Sequence, residues 1–188
     1  MNLVIFGPPG AGKGTQSSFI KKKFKLYQLS TGELLREEIK NKTKLGSKIS
    51  SIINSGELVS DLIVSKLIEK FISKKEYKNK IIFDGYPRNL AQAENLENLL
   101  KKDNQKIDIV LKLSVSLETI KQRILERKNL EKRSDDSEEI AVKRYDTYEK
   151  NSKPVIDFYE QSGLLRVING ERSISEINSE ISALIEAI

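Results

Sequence analysis

The chain has 188 residues, enough for one domain with a sizeable core. It carries no cysteine and no histidine, which excludes disulfides, thiolate zinc sites, imidazole bases and Ser-His or Cys-His nucleophile pairs. Its 33 Lys and Arg against 27 Asp and Glu leave a net charge of +6. The basic runs at 21–25 and 74–78 carry no nucleic-acid reader motif and read as solvated helix ends.

The first predicted element is a strand at 3–6, Leu3-Val4-Ile5-Phe6. It runs into Gly7-Pro8-Pro9-Gly10-Ala11-Gly12-Lys13-Gly14-Thr15, and a helix opens at about Lys13. Glycines there let backbone N–H groups approach a polyphosphate, the helix adds its positive end, and Lys13 adds a full charge. The residue after the lysine is Gly14 rather than Ser or Thr. Any magnesium therefore leans on nucleotide oxygens, water and distant carboxylates instead of a hydroxyl at that position. No secretory leader is expected, because the first residues already read as strand and phosphate loop. No apolar run is long enough to span a bilayer, and a cytoplasmic enzyme is the expectation.

Further strands are predicted at 27–29, 80–83, 107–113 and 164–168. All are short, rich in Ile, Leu and Val, and without clean alternation, as strands buried on both faces read. Helical patterns fall at 13–24, 31–41, 61–73, 89–101, 116–127, 137–152 and 173–187. Alternating strands and helices imply an α/β fold with a doubly wound, five-stranded parallel sheet, whose ligands gather at the carboxyl ends of the strands. Two segments break the alternation: a helical insertion at 30–60 and a short polar link at 128–134. Ser173 and Glu176 form a capping box for the last helix. Asp135-Asp136-Ser137-Glu138 offers a similar start to the preceding one, and Pro154 is expected to break that helix or open a new one.

Candidate site residues cluster after the strands. Ser30-Thr31-Gly32-Glu33-Leu34-Leu35-Arg36 follows the second and Asp84-Gly85-Tyr86-Pro87-Arg88 the third. Gln92 lies one turn beyond Arg88, with an amide suited to an adenine edge. Arg123 and Arg127 share a helix face, Arg133 sits in the polar link, and Arg144 projects from the next helix. With Lys13, Arg36 and Arg88 they suit a ligand carrying many phosphate charges.

In the order and spacing of these segments, together with Gly56-Glu57-Leu58-Val59-Ser60-Asp61 and Arg133-Ser134-Asp135-Asp136, the chain resembles adenylate kinase over essentially its whole length. The resemblance implies a phosphate-loop kinase fold with a core at 1–29, 61–127 and 134–188, an AMP-binding insertion at 30–60 and a short lid at 128–133. It implies the reaction ATP + AMP ⇌ 2 ADP. By it, Gly10, Ala11, Gly12, Lys13, Gly14, Thr15, Arg123, Arg127, Gly170 and Arg172 hold ATP. Thr31, Arg36, Glu57, Leu58, Val59, Gly85, Tyr86, Pro87, Arg88 and Gln92 hold AMP, with Arg133 and Arg144. Lys13, Arg88, Arg123, Arg133 and Arg144 bridge the transferring phosphoryl group, and Asp84 orients water around Mg²⁺ brought in as MgATP. No zinc, nucleic acid or membrane partner is implied, and a monomer is expected. Glu33 stands where the family usually carries aspartate, Tyr86 where phenylalanine is common and Arg172 where lysine is frequent. Three alternatives stay open: a pyrimidine monophosphate kinase of the same fold, a nucleotide-sensing module without turnover, and an RNA-associated basic protein. Thr31 and Gln92 favour AMP over the first, whose members commonly carry Ala and Asn there.

Overall fold

The computed structural model describes residues 1–131 and 137–188. Five parallel strands form one sheet: β1 (Leu3–Phe6), β2 (Tyr27–Ser30), β3 (Ile81–Asp84), β4 (Ile109–Ser114) and β5 (Leu165–Asn169), in the order β2-β3-β1-β4-β5. The central strand β1 pairs with β3 on one side (Val4 opposite Phe83) and β4 on the other (Val4 opposite Val110).

Around the sheet run α1 (Lys13–Phe24), α2 (Thr31–Lys40), α3 (Lys44–Asn54), α4 (Asp61–Ile72), α5 (Leu90–Lys102), α6 (Leu117–Glu131), α7 (Glu138–Gln161) and α8 (Ile174–Glu186). The unbroken apolar reading of β1 has a simple cause: both of its faces are covered. Val4 and Phe6 pack with Leu29, Phe83 and residues of α4, α5 and α7, whereas Leu3 and Ile5 pack with Ile82, Leu111 and residues of α1, α6 and α8. At the amino ends of the strands the buried Asn2 side chain donates to Gln105 Oε1 and accepts from the Ile81 N–H. That polar knot closes one end of the sheet and leaves the other for ligand.

Helix starts follow local chemistry. Ser30, Thr43, Asn89, Ser137 and Ser173 each cap a helix through their side chains, and Ser173 with Glu176 completes the capping box. Helix α1 differs, because Gly12 precedes it with no side-chain cap. The last turn of α1 carries Lys21, Lys22 and Lys23, all exposed, at the end where cations favour the helix dipole.

Two expectations are corrected. Pro154 neither breaks nor restarts its helix, and α7 runs on through it to Gln161. The ring is exposed, so the backbone it frees can be hydrated, while the fully buried Val155 and Tyr159 hold the following turns in the core. The link expected at 128–134 does not begin at 128, because residues 128–131 continue α6. The insertion at 30–60 resolves into α2 and α3, packed on each other.

That contact fixes Gly46. A Cβ there would lie 2.0 Å from the Glu38 carbonyl oxygen and 2.7 Å from the Ile39 nitrogen, both backbone atoms that cannot step aside. Gly46→Ala is expected to cost about 3 kcal/mol, against about 0.5 kcal/mol or less for the exposed neighbour in Ser47→Ala. Urea unfolding of both variants checks this, and equal midpoints would contradict the packing described.

Candidate active site

The carboxyl ends of the strands open onto one cavity of about 870 Å³. Its walls bring together residues remote in sequence: the phosphate loop after β1, Ser30 and Gly32 after β2, Asp84 and Gly85 at β3, and Gly170 after β5. This is where a doubly wound parallel sheet collects its ligands.

Among the described residues the lining carries seven basic side chains, Lys13, Arg36, Arg88, Arg123, Arg127, Arg144 and Arg172, against four acidic ones, Glu33, Glu57, Asp84 and Glu126. Backbone carbonyls hold several of the cations. Lys13 Nζ donates to the carbonyls of Gly7 (2.7 Å) and Pro8 (2.9 Å). Arg123 donates through Nη2 to Gly170 O (2.9 Å) and through Nη1 to Ala11 O (3.4 Å), tying the phosphate loop to the end of β5. Arg88 Nε donates to Gly85 O (2.7 Å), which also accepts from Thr31 Oγ1 (2.8 Å). Gly85 has φ of +77°, and a Cβ there would lie 2.9 Å from Thr31 Oγ1 and 3.2 Å from Arg88 Nη2. Only glycine serves both the backbone and the crowding at that point. Arg172 is paired with Glu180.

The cations weigh on one another. Burial pushes the Lys13 ammonium down to about 8, and Arg88, Arg144 and Arg127 push it in the same direction while the Asp84 carboxylate opposes them. Burial, and then Arg144, lowers the Arg88 guanidinium to about 10, so it stays charged at neutral pH. The buried Asp84 has one carboxylate oxygen taken by the Gln28 amide (3.0 Å).

Of the residues expected to hold ATP, Gly10, Ala11, Gly12, Lys13, Gly14, Thr15, Arg123, Arg127, Gly170 and Arg172 all line this cavity. On the acceptor side so do Arg36, Glu57, Leu58, Val59, Gly85, Pro87, Arg88 and Arg144. Three do not. Thr31 and Tyr86 are buried behind the wall, the first bonded to Gly85 O and the second accepting from Asn95 Nδ2. Gln92 is also buried, its Oε1 accepting from the Arg88 N–H (2.8 Å) and its Nε2 donating to Asp61 (2.5 Å). Arg133 lies outside the described residues, as do Ser134, Asp135 and Asp136. The sequence reading missed a polar stripe on α7: Thr147, Tyr148, Asn151 and Ser152 line the cavity with Arg144. Their spacing of three, four, seven and eight from Arg144 was the available signal.

A phosphate loop on the central strand, with lysine and arginines converging across the strand ends, defines a phosphoryl-transfer enzyme of the phosphate-loop kinase fold. A family model described as adenylate kinase matches residues 5–164. Among curated proteins the chain is 42% identical to an adenylate kinase of Pelagibacter ubique, over 99% of this chain and 100% of the relative. It is 45% identical to one of Prochlorococcus marinus, over 95% of each chain, and 36% identical to one of Archaeoglobus fulgidus, over 100% of this chain and 99% of the relative. The chain belongs to the adenylate kinase family, whose members exchange a phosphoryl group between ATP and AMP and use MgATP.

The depressed Lys13 has a measurable consequence. In the folded protein it binds fewer protons than in the unfolded chain between about pH 8 and its ordinary value of 10.5, so its contribution to stability rises with pH across that window. A bound polyphosphate reverses the shift by favouring the charged form. ATP binding at pH 8.5 is therefore expected to take up about three-quarters of a proton, read as a calorimetric heat that depends on the ionisation enthalpy of the buffer. Lys13→Met should abolish the dependence, and a buffer-independent heat for the parent protein would contradict this account.

Proposed function

We propose that ATP binds along the phosphate loop, with Arg123 and Arg127 beside its phosphates and the Gly170–Arg172 turn at its base. AMP binds between the insertion at 30–60 and the turn 85–88. The observation that carries this reading is the convergence of Lys13, Arg88, Arg123, Arg127 and Arg144 on one cavity. The acceptor is an AMP phosphate oxygen, already ionised at neutral pH, so the step requires no general base. The absence of histidine from the sequence agrees with that chemistry. Catalysis is alignment of an in-line transfer plus stabilisation of charge on the moving group, which Lys13, Arg88, Arg123 and Arg144 supply.

Magnesium arrives on ATP and neutralises phosphate charge. Asp84 suits it, being a carboxylate at the end of β3, facing the cavity beside the phosphate loop, with one oxygen already oriented by Gln28. Asp84 would act through water, and with neither cysteine nor histidine in the sequence no zinc site is proposed.

The hazard in such a site is transfer to water, which closure of the insertion and of the short lid expected at 128–133 would prevent. The insertion already touches α7: Lys143 and Glu57 are 3.2 Å apart, and Gly56 lies against Ile140 and Arg144. Gln92 and Thr31, behind the wall formed by Pro87, Arg88 and Gly85, meet the adenine of AMP as the site closes. The protein works as a cytoplasmic monomer on ATP, AMP and ADP. Among the described residues no helix is long and apolar enough to cross a membrane.

A coupled assay of the purified protein with AMP, CMP, UMP and GMP tests the reading. Magnesium-dependent turnover is expected with AMP, exceeding the other acceptors by about 10⁴-fold in kcat/KM, as hydrogen-bonded base sites achieve. Comparable rates with UMP or CMP would overturn the acceptor assignment.

A further inference from the structure

The Gln92 amide is held from two sides. Its Oε1 accepts from the Arg88 backbone N–H at 2.8 Å, and its Nε2 donates to Asp61 Oδ1 at 2.5 Å. A backbone N–H can face only the amide oxygen and a carboxylate only the amide NH₂, so the orientation of the group is fixed by its partners. Asp61 opens α4 and is itself placed by Asn89, whose Nδ2 donates to both carboxylate oxygens (3.2 and 3.0 Å). Asn89 in turn caps α5 by accepting from the Gln92 N–H at 2.8 Å. Asp61, Asn89 and Gln92 thus form a closed set of hydrogen bonds joining the starts of two helices.

After these bonds the amide keeps one N–H and one oxygen lone pair. Adenine offers a donor at N6 beside an acceptor at N1. Hypoxanthine and guanine offer the reverse, an acceptor at O6 beside a donor at N1–H. A freely turning glutamine serves either pattern by rotating its amide through half a turn. Here that rotation would set Oε1 against the Asp61 carboxylate and the NH₂ against the Arg88 N–H, losing two bonds and creating two repulsions.

We propose that Asp61 is a specificity-positioning residue: by locking the Gln92 amide in one orientation, it makes the acceptor site prefer a 6-aminopurine to a 6-oxopurine. The inference rests on the reading that Gln92 meets the acceptor base. The same bonds would also serve as a staple between α4 and α5, and the two roles separate cleanly. A staple affects stability and overall activity but has no means of distinguishing one base from another.

The test compares AMP with IMP, which differ only in the pattern at position 6 and N1. The parent, Asp61→Ala, Asp61→Asn and Gln92→Leu proteins are assayed with both acceptors, and their thermal midpoints are recorded alongside. Asp61→Ala is expected to raise KM for AMP and to lower the AMP-to-IMP ratio of kcat/KM by about tenfold or more. Asp61→Asn should fall between it and the parent, because its amide can meet Gln92 either way round. Gln92→Leu should raise KM for AMP. If Gln92→Leu weakens AMP while both Asp61 variants keep the parent ratio, whatever their stability, the positioning role is overturned and the base reading stands. If Gln92→Leu leaves KM for AMP unchanged, the base reading fails and the positioning role falls with it.

Discussion

The burial of a group of cations at one end of a parallel sheet is the constraint on which this molecule is built. Burial does most to lower the proton affinity of Lys13; the Asp84 carboxylate opposes it, and Arg88, Arg144 and Arg127 lie close enough to lower it further. Such a cluster costs stability wherever it is assembled. The fold bears that cost through two apolar clusters, one on each face of the sheet, in which helices pack against the strands. The carbonyls of Gly7, Pro8, Ala11, Gly85 and Gly170, all in turns beyond the strand ends, accept from the cations and hold their side chains in place. On the proposed reading, a polyphosphate ligand would offset both the burial and the mutual repulsion of these cations, so the site would gain most when substrate charge is present.

The sequence revealed most where local chemistry has few solutions. An apolar tetrapeptide followed by glycines and a lysine has one reading, and β1, the loop and the start of α1 stand where it put them. Parallel topology followed from strands that alternate with helices along the chain. The capping box at Ser173 was equally plain, because its two bonds lie within four residues. Tertiary burial decided what local rules could not. Pro154 looked like a terminator, yet Val155 and Tyr159 carry α7 past it. The polar residues at 128–131 read as a link, but α6 continues through them.

The site shows the same division. Arg36, Arg88, Arg123, Arg127, Arg133 and Arg144, scattered over five segments, could be gathered by counting charge, and the described ones among them share one cavity. What spacing could not give was which side chains are already committed. Thr31 and Tyr86 sit next to cavity-lining residues in sequence and Gln92 one helical turn beyond Arg88, yet their polar atoms are bound within the protein. Arg88 is a local partner one turn from Gln92, but Gly85 for Thr31 and Asp61 for Gln92 are set by the meeting of α2, α4 and α5 with the end of β3, a long-range arrangement invisible to a local pattern. The α7 stripe beyond Arg144 was missed because Thr, Tyr, Asn and Ser on an amphipathic helix look like ordinary solvent-facing residues until a cavity is known to lie beside them.

The central claim is that one cation cluster serves both nucleotides at once. Its most direct test is the affinity of a single ligand made of two adenosines joined by five phosphates, measured by calorimetry beside ATP and AMP at several salt concentrations. The account predicts binding at least about 10²-fold tighter than ATP alone, with the advantage shrinking as salt rises. An affinity equal to that of ATP, or an advantage indifferent to salt, would contradict it.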